Sequence, residues 1–138
     1  MLIPYTAPRA TFQKELEIKK SIFLATLIPV KNEEEAQEAI AKMKKEKKLP
    51  KKFYLTVAAG ILITAAYRIG TERIYEKSSD DGEPQGTAGH PMLHVLQMNE
   101  LTNTLAIVTR WFGGIKLGAG GLTRAYTQSL ADAVKEAD

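Results

Sequence analysis

The apolar positions along this chain change between the spacing of strands and the spacing of helices. Over residues 11–30, β-branched and aromatic residues alternate loosely with charged ones around a central Lys-Lys pair, which is typical of two antiparallel strands. Asn32 and the three glutamates after it combine a capping side chain with carboxylates that complement the positive end of a helix dipole. Apolar residues then recur at helical spacing, so the pattern predicts a helix over residues 33–47 that ends before Pro50.

The rest of the chain predicts further strands and helices. The expected elements are a strand over residues 53–69, a short companion strand over residues 71–75, a helix around residues 92–98, a buried strand over residues 105–111 and a helix from residue 122 onwards. This order predicts an α+β fold in which helices pack on a mainly antiparallel sheet. We expect a single domain over residues 1–138, because this length builds one core.

Composition narrows the class of protein. Apolar residues make up 44% of the chain and charged residues 25%, which are globular averages and argue against disorder. Cysteine is absent, which excludes disulfide scaffolds, thiol catalysis and cysteine zinc sites and favours a cytoplasmic location. We expect no membrane association, because no apolar segment approaches the length of a membrane span and the first residues lack the pattern of a signal peptide.

Eight of the ten glycines lie between Gly82 and Gly121, and five of these lead from the predicted buried strand into the last helix. Glycines let backbone N–H groups approach a bound group closely, and a helix N-terminus favours an anion. The residues expected to bind an anion or a nucleic acid here are Arg110, Gly113, Gly114, Lys116, Gly118, Gly120, Gly121 and Arg124. The spacing matches neither a P-loop nor the dinucleotide fingerprint. The alternative, that the glycines serve tight turns and packing, stays open.

Three carboxylates fall within four residues, at Asp80, Asp81 and Glu83. Such a cluster can hold Mg²⁺ or supply an acid and a base, but a solvated acidic turn is its commoner meaning. We therefore predict no catalytic residue, no metal site and no other cofactor. The residues expected to shape the surface of this loop are Asp80, Asp81, Gly82, Glu83, Pro84, Gly86, Thr87 and Gly89.

Two other features have ordinary explanations. His90 and His94 share a helical face, as metal-binding pairs do, but no third ligand has a recognisable spacing. Residues 42–52 carry seven lysines against one glutamate, and such a charge attracts polyanions such as RNA. Lysines at the end of a helix are also favoured by its dipole, and this run lacks the interleaved aromatic residues that stack bases.

Two blocks of sequence resemble the signatures of the YigZ/IMPACT family. Residues 79–89 read SDDGEPQGTAG, with Pro91 and Leu93 after them, and residues 108–126 read VTRWFGGIKLGAGGLTRAY. Residues 17–21 and the Glu-Glu-Ala start of the first helix are similar as well. The resemblance therefore covers nearly the whole chain, and the two blocks together are specific.

The resemblance implies a fold like domain IV of elongation factor G. Bacterial members usually carry a further ferredoxin-like domain, which we expect to be absent because the chain ends at the helix after Arg124. Eukaryotic relatives regulate translation, but largely through a separate domain, so the resemblance does not transfer that activity to this chain.

One element departs from the family pattern. Members usually have His-Asn-Cys just before the Ala-Tyr-Arg-Ile-Gly of residues 66–70, whereas residues 61–65 here read ILITA. A shifted reading frame is our hypothesis for the departure, since one choice of synonymous codons for residues 60–65 encodes Asp-Thr-His-Asn-Cys in another frame. Sequencing of the gene over residues 53–65 tests this hypothesis.

The resemblance favours a translation-associated module that binds RNA, the ribosome or a protein of the translation machinery and has no catalysis of its own. Arg110, Lys116 and Arg124 are the expected phosphate contacts. One alternative is an enzyme that acts on a small phosphorylated metabolite through the glycine-rich residues. Another is a module that binds only proteins.

Overall fold

The structure is a computed structural model that describes residues 5–46 and 61–137. The elements in these ranges are β1 (Phe12–Ile18), β2 (Ser21–Pro29), α1 (Glu33–Glu46), β3 (Ile61–Ile69), β4 (Tyr75–Ser79), α2 (Gly89–Met98), β5 (Thr104–Trp111) and α3 (Gly118–Glu136). They confirm the predicted α+β fold with an antiparallel sheet. The last four lysines of the basic run, and the part of the third predicted strand that precedes residue 61, lie outside the described residues.

Strand β5 lies at the centre of the sheet, whose order is β1-β2-β5-β3-β4 with every pair antiparallel. All eight residues of β5 are buried, which explains the continuous apolar run in its sequence. Its last residue, Trp111, pairs with Ile22 of β2 on one side and with Ile61 of β3 on the other. The glycine-rich residues that follow β5 therefore begin at the middle of one end of the sheet.

Helices pack on both faces of the sheet. Helices α2 and α3 cover the face that presents Phe23, Ala106 and Val108, and α1 covers the face that presents Leu105 and Ile107. Neighbouring residues of β5 serve separate cores, because successive side chains of a strand point to opposite faces. Among the described helices, none is both long and apolar enough to cross a membrane.

The start of α1 agrees with the prediction. Oδ1 of Asn32 accepts a hydrogen bond of 2.8 Å from the N–H of Glu35, and Oε1 of Glu35 accepts one of 2.9 Å from the N–H of Lys31. This reciprocal pattern resembles a capping box. The described part of the helix runs to Glu46, and its predicted last residue, 47, lies outside the described residues.

Two boundaries differ from the prediction. The short companion strand is β4, which begins at Tyr75 rather than at residue 71. The cause lies at Gly70, whose N–H donates to Oδ1 of Asn103 and whose carbonyl accepts from the hydroxyl of Thr102, so the chain turns before it pairs again. Helix α3 begins at Gly118, and the last glycines therefore lie in its first turn rather than in a preceding loop.

Candidate functional site

Asp80 organises the acidic loop, residues 80–89, between β4 and α2. Its Oδ1 accepts hydrogen bonds from the N–H groups of Ala88 (3.1 Å) and Gly89 (2.8 Å), and its Oδ2 accepts one from Gly86 (2.9 Å). Burial by itself raises the pKa of Asp80, but the three N–H donors outweigh burial, so the net change in its pKa is downward. The carboxylate is therefore held in its charged form and closes the loop onto the start of α2.

Asp81 ties the acidic loop to β3. Its Oδ2 accepts a hydrogen bond of 2.7 Å from the N–H of Ile63, and its Oδ1 lies 3.8 Å from Nζ of Lys44 on α1. The φ of Asp81 is 44°, in the left-handed region that aspartate tolerates better than most residues. This carboxylate thus fixes the position of the loop relative to the sheet.

The other loop residues divide into an exposed tip and a buried anchor. The exposed residues of the tip are Gly82, Pro84, Gln85 and Gly86. Thr87 is buried and donates through its N–H (3.1 Å) and its hydroxyl (2.6 Å) to the carbonyl of Pro84. A Cβ on Gly89 would lie 2.9 Å from the backbone nitrogen of Ser79, so glycine is required where α2 starts against β4.

Glu83 points inward from the same loop and is 8% exposed. Its carboxylate oxygens lie 3.1 and 2.8 Å from Nη1 of Arg110 on β5, and Oε2 also accepts a hydrogen bond from the hydroxyl of Tyr126 on α3. Burial and the hydrogen bond to Glu83 raise the pKa of Tyr126 far above that of an ordinary tyrosine. Tyr126 therefore stays protonated, and the three side chains join the loop to the central strand and to the last helix.

Arg110 does not lie on the surface, as a phosphate contact would. It is 5% exposed and paired with Glu83. Its guanidinium carbon lies 5.6 Å from the ring centre of Phe23 and 5.3 Å from that of Phe112. Because a carboxylate neutralises its charge and two rings flank it, Arg110 offers little net charge to a phosphate. The structure places this arginine in the floor of the site.

The glycine segment, residues 113–121, starts against the turn between β1 and β2. The N–H of Gly113 donates a hydrogen bond of 3.2 Å to Oγ of Ser21. A Cβ on Gly113 would lie only 1.9 Å from the carbonyl oxygen of Lys20, so no other residue fits without moving the turn. This glycine serves close packing, which is the alternative that the sequence left open for it.

The acidic loop and the glycine segment meet in one cavity of about 490 Å³. Its apolar walls include Leu62 of β3, Pro84 of the acidic loop, and Phe112, Leu117 and Leu122. Glu83 and Arg110 form the buried floor, and the exposed Lys116 stands at the edge. The cavity is therefore apolar inside and cationic at its rim.

Of the remaining residues of the predicted anion site, Gly118 lines this cavity and Gly114, Gly120, Gly121 and Arg124 do not. Gly114, Gly118 and Gly120 are exposed, as is Arg124, and Gly121 packs against Leu117. The side chain of Leu117, which precedes α3, caps no N–H group of the first turn, and those groups have no partner within the helix. Lys116 and Gly118 line the cavity, whereas Arg124 does not.

The carboxylates of the acidic cluster all have structural partners. Asp80 holds backbone N–H groups, Asp81 holds β3, and Glu83 holds Arg110 and Tyr126. Over residues 5–46 and 61–137, no three His, Cys, Asp or Glu side chains come together as metal ligands. The geometry therefore suits binding better than acid–base chemistry.

Seven residues of the site were outside the predicted set: Ser21, Leu62, Phe112, Leu117, Ala119, Leu122 and Tyr126. Ser21 and Tyr126 support the floor and the glycine segment, and both belong to stretches that carry the family resemblance. Leu62 lines the cavity from the stretch that departs from the family pattern. No signal in the sequence identifies Leu62, because the strand register decides which face it occupies.

The chain is similar to known proteins over most of its length. A family model described as the Impact N-terminal domain matches residues 19–134. The chain is 45% identical over 132 residues to the IMPACT family member YvyE of Bacillus subtilis, which covers 96% of this chain and 56% of that protein. It is 33% identical over 101 residues to the Protein IMPACT homolog of Saccharomyces cerevisiae, which covers 71% of this chain and 35% of that protein.

Two solved structures share the fold. A crystal structure described as a hypothetical protein has a TM-score of 0.81 and 31% identity, over 96% of this chain and 60% of the other. The two-domain translational regulator Yih1 has a TM-score of 0.50 and 25% identity, over 98% of this chain and 48% of the other. The chain thus spans only about half the length of several relatives that it matches.

Proposed function

The chain belongs to the Impact N-terminal domain family, and on this premise we propose that it is a translation-regulatory module that binds RNA of the translation machinery and has no chemistry of its own. The relative Yih1 is described as a translational regulator, which supports a regulatory role for the shared fold. The chain covers only 48% of Yih1 and 56% of YvyE. We therefore extend the activity of those whole proteins to this chain only as a proposal.

The meeting of the two family blocks in one cavity carries the proposal. Residues 80–89 and 113–121 are separated in sequence by α2 and β5, yet both contribute walls to the same opening. Blocks that served only packing in separate parts of the fold would not need to share an open cavity. A shared recognition surface is the function that this arrangement supports best.

The charge at the rim favours RNA as the partner. Lys116 and Arg124 are exposed, and neither has a carboxylate partner among the residues that the structure describes. The open first turn of α3 adds a partial positive charge beside them. Phosphate groups are the ligands that such a combination binds, with an affinity that depends strongly on salt.

A protein partner is the second candidate, because the walls of the cavity are mainly apolar and apolar side chains anchor many protein interfaces. The enzyme alternative loses its main support, since each carboxylate of the acidic cluster already holds another part of the fold. Measurements of binding to RNA and to protein ligands therefore distinguish the two candidate functions.

Salt-dependent RNA binding tests the proposal. Fluorescence anisotropy with a labelled single-stranded RNA, measured between about 50 and 200 mM salt, gives the slope of log affinity against log salt. We expect the Lys116→Ala/Arg124→Ala variant to bind RNA more weakly. The magnitude of its slope should be smaller by about 1.4, the change expected for the loss of two phosphate contacts to a single strand. The Lys77→Ala/Lys135→Ala variant is the control, since it removes the same charge at exposed positions outside the site.

Two results would contradict the proposal. One is no RNA binding by the intact chain at low salt. The other is an equal loss of affinity in both double variants, which would mean that only net charge matters. Binding of a protein of the translation machinery that survives nuclease treatment, with no RNA binding, would favour the second candidate instead.

A further inference from the structure

We propose that the cavity between the acidic loop and the start of α3 takes one unstacked RNA base, with the phosphate of that nucleotide at Lys116. This inference rests on the proposed function and deepens it, since it says which part of the RNA enters the protein and where. It makes the base, as well as the phosphate backbone, a determinant of affinity.

The size of the cavity suits a base. Its volume of about 490 Å³ lies within the range of about 300 to 1,000 Å³ that is usual for small-molecule sites. The walls come from several elements, with Leu62 on β3, Pro84 on the acidic loop, and Leu117 before α3. A concave site lined by several elements accommodates a single inserted ring better than a flat protein surface.

Aromatic stacking supplies the attraction. Phe112 is half-buried and lines the cavity, with the guanidinium of Arg110 5.3 Å from its ring centre. Proteins that read single-stranded RNA stack its unpaired bases on aromatic rings and on guanidinium planes. The ring of Phe112, with this guanidinium behind it, therefore provides a stacking surface in the wall.

The charges of the cavity select an anionic ligand with an apolar part. The carboxylate of Glu83 is neutralised by Arg110 in the floor, so the exposed ammonium group of Lys116 determines the charge of the rim. A nucleotide combines an apolar face and a phosphate in a single unit. An apolar protein side chain has no such anion attached, so the rim favours the nucleotide.

One donor in the floor lacks an acceptor. Arg110 is 5% exposed, and its Nε–H has no hydrogen-bond partner among the described residues. Bases carry ring nitrogens and carbonyl oxygens, which are acceptors of the kind that this donor lacks. Because polar groups are few in the walls, we expect stacking to dominate and purines to bind better than pyrimidines, with little further discrimination.

The test compares ligands that differ only in their bases. The probes are a short oligoadenylate and an abasic oligomer with the same number of phosphates, both measured by competition with the intact chain. We expect the oligoadenylate to bind at least about fivefold more tightly, the lower end of the effect of one stacked base. Adenosine 5′-monophosphate should likewise compete better than ribose 5-phosphate.

Two variants test whether this difference in affinity arises in the cavity. Ala119→Leu adds side-chain volume at an exposed helical position that lines the cavity and removes no contact of the core. It should abolish the preference for the base, because the added side chain occupies the space that the base would take. Ala41→Leu makes the same change at an exposed position of α1 and should preserve the preference. Phe112→Ala should also abolish it.

The outcomes separate this inference from the proposed function. Equal binding of both oligomers, with the Lys116 and Arg124 dependence retained, would overturn the base site and leave RNA binding in place. Failure of both oligomers to bind at low salt would overturn both proposals. If a peptide with an apolar side chain is blocked by Ala119→Leu while the mononucleotide does not compete, the cavity takes a protein ligand and the inference is wrong.

Discussion

Nη1 of Arg110 lies 2.8 and 3.1 Å from the two carboxylate oxygens of Glu83. This ion pair joins the central strand to the acidic loop beneath the cavity, and Tyr126 brings the last helix to the same carboxylate. Both partners of the pair are almost fully buried, so neither charge is screened by water. The geometry of the site therefore depends on a contact between its two sequence blocks.

Glu83→Gln should destabilise the protein strongly. The substitution leaves the guanidinium of Arg110 buried without its counter-charge, and loss of one partner of a buried pair costs about 3 to 5 kcal/mol. Denaturant unfolding measures the change in the free energy of unfolding. Glu38→Gln on the exposed side of α1 is the matched control and should change it by less than about 0.5 kcal/mol. Equal stabilities of the two variants would contradict the structural role of Glu83.

Asp80 should contribute stability that depends on pH. Its folded pKa lies below the ordinary aspartate value of 3.8, so the contribution is fully present above that pH and is lost as the pH falls through the folded pKa. Asp80→Asn should therefore lower the free energy of unfolding at neutral pH, by about 1 to 3 kcal/mol. The difference from the native chain should shrink below about pH 4. A difference that stays constant on acidification would show that the charge is unimportant.

Two glycines of the glycine segment should respond to alanine with opposite signs. Gly113→Ala places a Cβ 1.9 Å from the carbonyl of Lys20, and the strain should cost about 1 to 3 kcal/mol. Gly120→Ala lies in the first turn of α3, where the nearest atom to a Cβ is the flexible end of Arg124 at 3.5 Å. Thermal unfolding should show stabilisation there by up to about 1 kcal/mol. Destabilisation of both variants to the same extent would contradict this difference in packing.

The phenol of Tyr67 should lose its proton at an unusually high pH. Burial and its hydrogen bond to Glu33 raise the pKa of Tyr67 to about 12. The raised pKa contributes stability that is fully present below pH 10.0, the ordinary pKa of tyrosine, and this stability is lost as the pH rises from there towards about 12. Ultraviolet titration of the native chain minus that of Tyr67→Phe isolates this residue. A difference curve centred near pH 10 would contradict the buried contact with Glu33.

The sequence predicts local structure where residues close together in the chain determine it. Asn32 and Glu35 identify the start of α1, because both capping partners lie within one turn. The burial of Arg110 could not be predicted from the sequence, because its partner Glu83 is 27 residues away and only the fold brings the two residues together. The early start of α3 at Gly118 was also missed, since glycine has a low intrinsic helix propensity.

The proposed RNA site lies where the two sequence blocks meet. Titration of the isotope-labelled chain with a short single-stranded RNA, followed by the amide signals in two-dimensional NMR spectra, tests it most directly. We expect the largest shifts at residues 82–86 and 112–120, and little change along α1. Shifts confined to the lysines of α1, with the signals of the two blocks unmoved, would contradict the claim.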